Sequence, residues 1–260
     1  MAAISYDGAA LLKDFAARKK LTYTLLSDPD SRVIRAFGIL NPNFPPGHPA
    51  HGVPYPGTFF IDEHGVVTAK YFEDDHRDRY TAAAMLFRHF GAARGIDAAS
   101  AEERHLKAAW WASDAAAYPG GVTTLVLEIE LGPGMHVYAP GVTGGYIAVE
   151  WKMEPTHGWV AGPASWPASR KLRLPVINET VPVYERSVRI LRDLTLGQED
   201  DLKPFMGPDR TITVAGSFRY QACDDRECYA PESMPLKWTF HVEHLDGQRA
   251  PEQYRRKSGP

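Results

Sequence analysis

The two cysteines of the 260-residue chain, Cys223 and Cys228, constrain its fold most, because they lie between two segments of alternating polarity. Apolar and polar side chains alternate along residues 211–220 before the pair and along residues 236–243 after it. This period of two predicts two antiparallel strands with the cysteines near their junction. A straight strand would hold the two Cα atoms roughly 16 Å apart. The polar segment 224–227 must therefore turn back if a disulfide is to form.

The spacing alone leaves the chemistry of the pair open. A loop this short removes little entropy from the unfolded chain, and the surrounding domain is large enough to build its own core. Both points favour a redox-active disulfide over a structural one. Free, inert thiols are one alternative. A zinc site is another, but a single Cys-x4-Cys pair would need His136 or His157 as a further ligand.

The residues around the pair resemble a known signature. The run Tyr220-Gln-x-Cys223-x4-Cys228-Tyr-x-Pro-Glu232 is similar to the cysteine signature of the amino-terminal periplasmic domain of the thiol:disulfide interchange protein DsbD family. Upstream, Pro133-Gly-Met-His-Val-Tyr138 resembles the "pG-x-H-x-Y" strand of that family. The resemblance covers about residues 105–245. It implies an immunoglobulin-like antiparallel β-sandwich whose cysteine pair relays electrons between thioredoxin-like proteins.

Several side chains besides the cysteines are candidates for the site. Tyr138, Tyr220 and Tyr229 are expected to bind or shield the pair, although aromatic strand residues are often simply part of a core. His136 is a possible proton donor, or else structural. In the resembling family a cap loop shields the cysteines, and the matching region here, Leu174–Val181, lacks the aromatic cap residue.

The acidic residues of the intervening segment predict how the pair would react. Exchange requires a thiolate as the attacking species. Asp224, Asp225 and Glu227 should raise the thiol pKa values, and Arg226 should offset this in part. The disulfide is therefore expected to be attacked by the low-pKa thiolate of a partner, through a mixed disulfide.

Residues 1–90 have a different pattern, in which helical and extended segments alternate as in an α/β unit. Four runs resemble the redoxin branch of the thioredoxin fold, the AhpC/TSA, peroxiredoxin and TlpA-like proteins: Ile4-Ser-Tyr-Asp7, Leu25-Leu-Ser-Asp-Pro-Asp30, Ala36-Phe-Gly38 and Pro56-Gly-Thr-Phe-Phe-Ile-Asp-x-x-Gly65. The resemblance implies that Pro56 is the cis-proline beside the active site of that fold. A trans loop proline is the commoner alternative.

This part departs from the redoxin pattern in one respect. The reactive cysteine of that family lies upstream of the strand that Ile4–Asp7 matches, and the present sequence begins at that strand. A central strand between residues 2–6 and residues 58–62 would also be missing. The resemblance therefore implies an incomplete thioredoxin-like domain without a reactive cysteine of its own.

The predicted architecture is α/β plus all-β, in four segments. These are a truncated redoxin domain (1–90), a linker (91–104), the β-sandwich (105–245) and a flexible tail (246–260). The first domain is expected to end with a helix, Arg77–Phe90, that packs through a stripe of apolar side chains at helical spacing, Ala82, Ala83, Leu86 and Phe90. From residue 106 onwards, short strands and recurrent Pro-Gly turns are typical of a sandwich.

Charge and hydropathy narrow the function classes. A net charge of −3 gives no indication of nucleic acid or an anionic membrane as a partner. No apolar run approaches the roughly 20 residues of a membrane span. The first residues lack the basic start and apolar stretch of a signal peptide. The chain is therefore expected to be cytoplasmic if Met1 is the true start, whereas the DsbD resemblance implies the periplasm.

Two functions of different classes remain at this point. The first is thiol–disulfide exchange with thioredoxin-like partners, without a metal or cofactor. The second is a non-catalytic interaction module, in which a structural disulfide lies beside a degenerate redoxin domain.

Overall fold

The computed structural model describes residues 1–72, 79–91, 98–174, 178–244 and 251–254. The chain divides into two compact units, Met1–His76 with Asp246–Pro260, and Arg77–Leu245. The second unit therefore includes the helix that the sequence pattern assigned to the first domain. None of the helices in the described ranges is both long enough and apolar enough to cross a membrane.

The first unit contains two helices and four strands within its described residues. Their bounds are β1 Ala2–Ser5, α1 Ala9–Arg18, β2 Thr24–Ser27, α2 Arg32–Ala36, β3 Gly57–Ile61 and β4 Val67–Phe72. Strand β1 pairs in parallel with β2, and β3 pairs antiparallel with β4. The predicted α/β character is present, but as two separate strand pairs rather than one sheet.

The second unit is mostly β. Its strands are β5 Arg79–Tyr80, β6 Ala99–Glu102, β7 Leu106–Ala112, β8 Ala116–Ala117, β9 Gly121–Leu131, β10 His136–Tyr138, β11 Glu150–Met153, β12 Trp159–Ser165, β13 Arg170–Leu174, β14 Glu179–Glu185, β15 Ser187–Leu196, β16 Thr211–Tyr220, β17 Ala222–Cys223 and β18 Glu232–Val242. Its helices are α3 Ala82–Phe90, α4 Glu199–Leu202 and the 3-10 turn Lys203–Phe205.

These strands form three sheets within the described residues. The largest has the order β12-β15-β9-β7-β6, with β5 pairing to β9. The second has the order β11-β16-β18-β8, and the third, which carries the cysteines, has the order β13-β14-β10-β17. Long antiparallel pairings, such as β16 with β18 and β9 with β15, fix the register of the first two sheets.

The hydrophobic core lies between the first two sheets. Leu236, Trp238, Phe240 and Val242 of β18 are buried, as their alternation predicted, and belong to one cluster with buried residues of β7, β9 and β15. Each strand presents one apolar face to this cluster because its side chains alternate between the two faces. The cysteine-bearing sheet is thus attached to a well-packed body.

Helix α3 packs on the opposite face of the largest sheet, and its buried side is not the predicted one. Phe87 is 5% exposed and contacts Trp111 and Val126, whereas Leu86 and Phe90 of the predicted stripe are 51% and 69% exposed. The helix carries two apolar stripes, and the sheet covers the one that contains Phe87. This contact also explains why Val126 of β9 is buried, although its side chain lies on the face of the sheet opposite the main core.

Polar contacts fix the start and the end of α3 on the same sheet. Arg88 forms an ion pair with Asp193 at 2.7 Å, and Tyr80 donates a hydrogen bond to the same carboxylate at 2.9 Å. At the start of the helix, Thr81 donates to Asp114 at 2.8 Å. The helix is therefore an integral part of the second unit.

The predicted linker and tail are described only in part. Residues 92–97 lie outside the described ranges, but Ala99–Glu102 pair antiparallel with β7, so the end of the predicted linker is a strand. Most of the predicted tail, 246–260, is likewise outside the described residues. Its described portion contains the 3-10 turn Glu252–Tyr254.

Candidate functional site: the cysteine pair

Cys223 and Cys228 form a disulfide, and their Cα atoms are 4.1 Å apart. The two residues face each other as an antiparallel bridge, a pairing in which facing Cα atoms are close. The predicted turn is therefore present. Neither sulfur is a free thiol in this structure. Of the two possible zinc ligands, His136 pairs with Cys223 across the strands, and His157 lies against Phe205.

Asp224 organises the turn between the cysteines. One of its carboxylate oxygens accepts hydrogen bonds from the backbone N–H groups of Arg226 and Glu227 at 2.7 and 2.9 Å. The other accepts from the Tyr229 hydroxyl at 2.8 Å. These hydrogen bonds to the turn lower the pKa of Asp224 to about 2. Its charge thus stabilises the loop that joins the two sulfurs.

The two cysteines differ in exposure. Cys223 is 1% exposed, because it packs with Tyr138, Val181 and Val183, whereas Cys228 on the returning arm of the loop is exposed. The Tyr138 hydroxyl lies 3.5 Å from Cys228 Sγ. A partner arriving from solvent therefore meets Cys228 first, beside a tyrosine hydroxyl.

A small apolar cluster covers the buried side of the pair. Tyr138, Val181, Val183 and Cys223 are buried together, and Leu172 and Leu174 are among the partly buried side chains that pack against them. Residues 175–177 of the region that matches a cap loop lie outside the described ranges. On either side of them, Leu174 ends β13 and Glu179 begins β14, and these two residues pair.

Tyr146 belongs to this site, and the sequence analysis did not identify it. Its ring lies 4.6 Å from that of Tyr138, and its hydroxyl donates to Glu179 at 2.7 Å. This hydrogen bond raises the pKa of Tyr146 to about 12. The residue sits in an irregular loop after two glycines of positive φ, Gly144 and Gly145. No strand pattern includes Tyr146. The one sequence signal that could have identified it is an aromatic side chain within a glycine-rich loop.

The three predicted tyrosines occupy different places. Tyr138 lies against the disulfide, and burial raises its pKa. Tyr229 stacks on His105, with ring centroids 4.0 Å apart, and holds Asp224. Tyr220 is 1% exposed within the main core and donates a hydrogen bond to Glu232. Tyr138 and Tyr229 are thus at the cysteine loop, and Tyr220 packs in the core next to it.

Pro56 does not have the geometry that the redoxin resemblance implies. All peptide bonds in the described ranges are trans, so the predicted cis-proline is wrong, and the commoner trans loop proline is present. Pro56 lies in the first unit, directly before β3.

We expect the loop to respond to acid through Asp224. Because its pKa is lowered, its stabilising effect is complete above the ordinary carboxyl pKa of about 4 and is lost as the pH falls towards 2. The amide resonances of Arg226 and Glu227 should therefore shift with a midpoint near 2 in a two-dimensional NMR titration. Asp224→Asn should abolish this transition, and Asp225→Asn should retain it. A midpoint near 4 would contradict the expectation.

Comparison with protein families confirms both resemblances. The family described as "Thiol:disulfide interchange protein DsbD, N-terminal" matches residues 105–237, and the AhpC/TSA family matches residues 1–70. The segment that matches the AhpC/TSA family thus precedes the segment that matches the DsbD N-terminal family. No curated protein matches the chain.

Two solved structures are similar to parts of the chain. One is the N-terminal periplasmic domain of ScsB from Proteus mirabilis, with 14% identity, a TM-score of 0.34, and coverage of 54% of this chain and 47% of that one. The other is the reduced DsbD N-terminal domain of Neisseria meningitidis, with 13% identity, a TM-score of 0.30, and coverage of 46% and 82%. The matched region thus spans about half the length of the ScsB domain.

Proposed function

The chain belongs to the family of the DsbD N-terminal domain through residues 105–237, and we propose that it carries out thiol–disulfide exchange with thioredoxin-like proteins through Cys223 and Cys228. The observation that carries the proposal is the unequal exposure of the pair, with Cys228 open to solvent and Cys223 buried. An exposed sulfur gives an incoming thiolate one defined point of attack, because exchange requires direct access to a disulfide sulfur.

The exchange proceeds in two steps. The partner's thiolate attacks Sγ of Cys228, a bond forms between these two sulfurs, and the Cys223–Cys228 bond breaks, so that Cys223 leaves as a thiolate and is then protonated. A second thiol of the partner, as its thiolate, then attacks the partner's own sulfur in the mixed disulfide. The partner leaves as a disulfide, and both cysteines of this chain end as thiols. In the opposite direction the same steps oxidise the pair.

The surroundings of Cys228 suit both steps. The Tyr138 hydroxyl, 3.5 Å from Cys228 Sγ, can donate a hydrogen bond to that sulfur in the second step, when Cys228 leaves as a thiolate. Asp224 holds the loop in its turned conformation and presents Cys228 outward. The acidic residues of the loop, Asp225 and Glu227, disfavour a thiolate on this chain, so attack by the partner's thiolate is the favoured start of reduction.

For the fold we propose an immunoglobulin-like sandwich within residues 77–245, to which α3, β5 and β6 also belong, and a thioredoxin-like domain within residues 1–76. Two mainly antiparallel sheets that share one apolar core support the first assignment. The redoxin family match and the parallel β1–β2 pair support the second. Residues 1–90 contain no cysteine, so exchange rests on Cys223 and Cys228 alone.

We also propose that the protein works in an oxidising compartment outside the cytoplasm. The disulfide at Cys223 and Cys228 supports this, because disulfides persist in such compartments and are reduced in the cytosol. A labelling experiment with a membrane-impermeant thiol reagent, applied to intact cells after reduction, would test the location.

A redox titration tests the proposed function. We expect the protein, equilibrated with glutathione buffers and then alkylated, to pass between dithiol and disulfide at a potential within roughly −120 to −300 mV, the range of biological thiol couples. The double variant Cys223→Ser/Cys228→Ser should show no transition. A pair that stays oxidised across this range would contradict exchange and support the alternative, an interaction module with a structural disulfide.

A further inference from the structure

His136 is a buried side chain with an unused hydrogen-bonding atom. The residue is 4% exposed, and its Nε2 atom is buried without a hydrogen-bond partner among the described residues. A buried polar atom without a partner costs free energy, so native proteins contain few of them and each requires an explanation. Packing alone does not explain why an imidazole occupies this position.

The strand register places His136 beside the disulfide. His136 of β10 pairs directly with Cys223 of β17. Directly opposed residues of antiparallel strands point to the same face, with Cβ atoms about 4.5–5.5 Å apart. Tyr138, two residues further along β10, lies on that face as well and contacts Cys228. The imidazole, the buried sulfur and the tyrosine therefore share one side of the sheet.

From this placement we propose that His136 transfers the proton that Cys223 gains and loses during exchange. The inference rests on the proposed function. It adds a proton carrier for the buried sulfur of Cys223, which leaves as a thiolate where water has little access. An ionised thiolate is costly to bury without a proton or a donor nearby, and His136 is the titratable side chain directly opposite this sulfur.

The proton transfer completes the exchange in each direction. When the reduced pair is oxidised, the Cys228 thiolate first attacks the partner's disulfide, whose S–S bond breaks, so that a mixed disulfide forms and the partner's other sulfur leaves as a thiolate. Neutral His136 then accepts the proton of the Cys223 thiol, and the Cys223 thiolate attacks Sγ of Cys228. The Cys223–Cys228 bond forms, and the partner's sulfur leaves with the electron pair. In the reducing direction the imidazole takes up a proton from solvent and gives it to the departing Cys223 thiolate.

The charges around His136 are consistent with a base. Burial lowers its pKa below 6.5, whereas the negative charges of Glu185, Asp225 and Asp224 oppose this effect. Glu185 faces His136 from β14 and is paired with Arg170 at 2.5 Å, which reduces its influence. The imidazole is therefore mainly neutral near pH 7 and free to accept a proton.

The rate of proton transfer from Cys223 to His136 can be tested through the lifetime of the mixed disulfide, which ends when the Cys223 thiolate attacks Cys228. The fully reduced protein is mixed with oxidised glutathione between pH 6 and pH 10, and the glutathionylated intermediate is followed by acid quenching and mass spectrometry. We expect His136→Phe to lengthen its lifetime at least tenfold at pH 7, since general-base catalysis contributes about 10²-fold or more. At pH 10, above the ordinary thiol pKa of about 8.5, the two lifetimes should converge, because hydroxide can then remove the Cys223 proton without a base from the protein.

Two further variants keep the test decisive. His136→Gln is polar but does not titrate in this range, and it replaces His136→Phe if the latter fails to unfold cooperatively. His157→Phe removes an exposed imidazole beside Phe205 and should behave as the wild type. Equal lifetimes at every pH, or a slowing by the same factor at pH 7 and pH 10, would overturn the role of His136 as a base. A wild-type protein that does not react with glutathione at all would instead overturn the proposed function, and this inference with it.

Discussion

Cys223→Ser is expected to accumulate a stable mixed disulfide through Cys228, whereas Cys228→Ser should accumulate at least tenfold less in the same time. The reason is access, since Cys228 is exposed, whereas Cys223 at the end of β17 is 1% exposed and packs with Tyr138 and Val183. The measurement uses a thioredoxin variant that keeps only its first active-site cysteine, activated as a mixed disulfide with thionitrobenzoate. Both the coloured leaving group and the covalent complex can be quantified.

The control for this experiment is the double serine variant, which should form no complex. Each single variant should also unfold cooperatively, with a loss of about 2 kcal/mol, because a disulfide that closes so short a loop constrains the unfolded chain only modestly. Equal trapping through both cysteines would contradict the asymmetry that the structure indicates. Absence of any complex from either variant would remove the support for exchange.

Phe87→Ala is expected to destabilise the second unit by about 3–5 kcal/mol, the usual cost of truncating a buried phenylalanine. Phe87 joins α3 to Trp111 and Val126 across the largest sheet, so its loss leaves a cavity between helix and sheet. Chemical denaturation followed by tryptophan fluorescence measures the change. Leu86→Ala, on the exposed side of the same helix, is the matched control and should cost about 0.5 kcal/mol or less.

The same contact predicts how fragments behave. A fragment of residues 77–245 should unfold cooperatively and be clearly more stable than one of residues 105–245, which lacks α3 and strand β6 and so exposes Trp111 and Val126. If the two fragments have the same free energy of unfolding, α3 contributes no stability to the sandwich. In that case the boundary predicted near residue 90 would describe the folding unit better than the one near residue 77.

The helix also illustrates where the sequence pattern stops being informative. Periodicity predicted a helix over residues 77–90. Residues 82–90 form one, whereas Arg79–Tyr80 form strand β5. It did not decide which of two apolar stripes is buried, because Leu86 and Phe87 lie on adjacent faces and both repeat at helical spacing with other apolar residues. That choice depends on the sheet on which the helix packs, and local spacing carries no information about the sheet.

The sequence likewise predicted some features of the candidate site and not others. The alternating segments on either side of Cys223 and Cys228 predicted two strands and a turn, because period-two polarity and a polar loop are local properties of the chain. The family signature placed Tyr138 near the pair from a distant stretch of sequence. Tyr146 was missed, because its contact with Tyr138 arises from a loop whose course no periodic pattern specifies.

The sequence by itself therefore determined the two family resemblances, the strands around the cysteines and the turn that brings them together. Tertiary structure alone decided that Cys223 is buried and Cys228 exposed, that His136 lies opposite Cys223, and that α3 belongs to the second unit. The physical reason is the range of the interactions. Turns and alternation are set by neighbouring residues, whereas exposure and cross-strand pairing depend on strands that are distant along the chain, here β10 and β17.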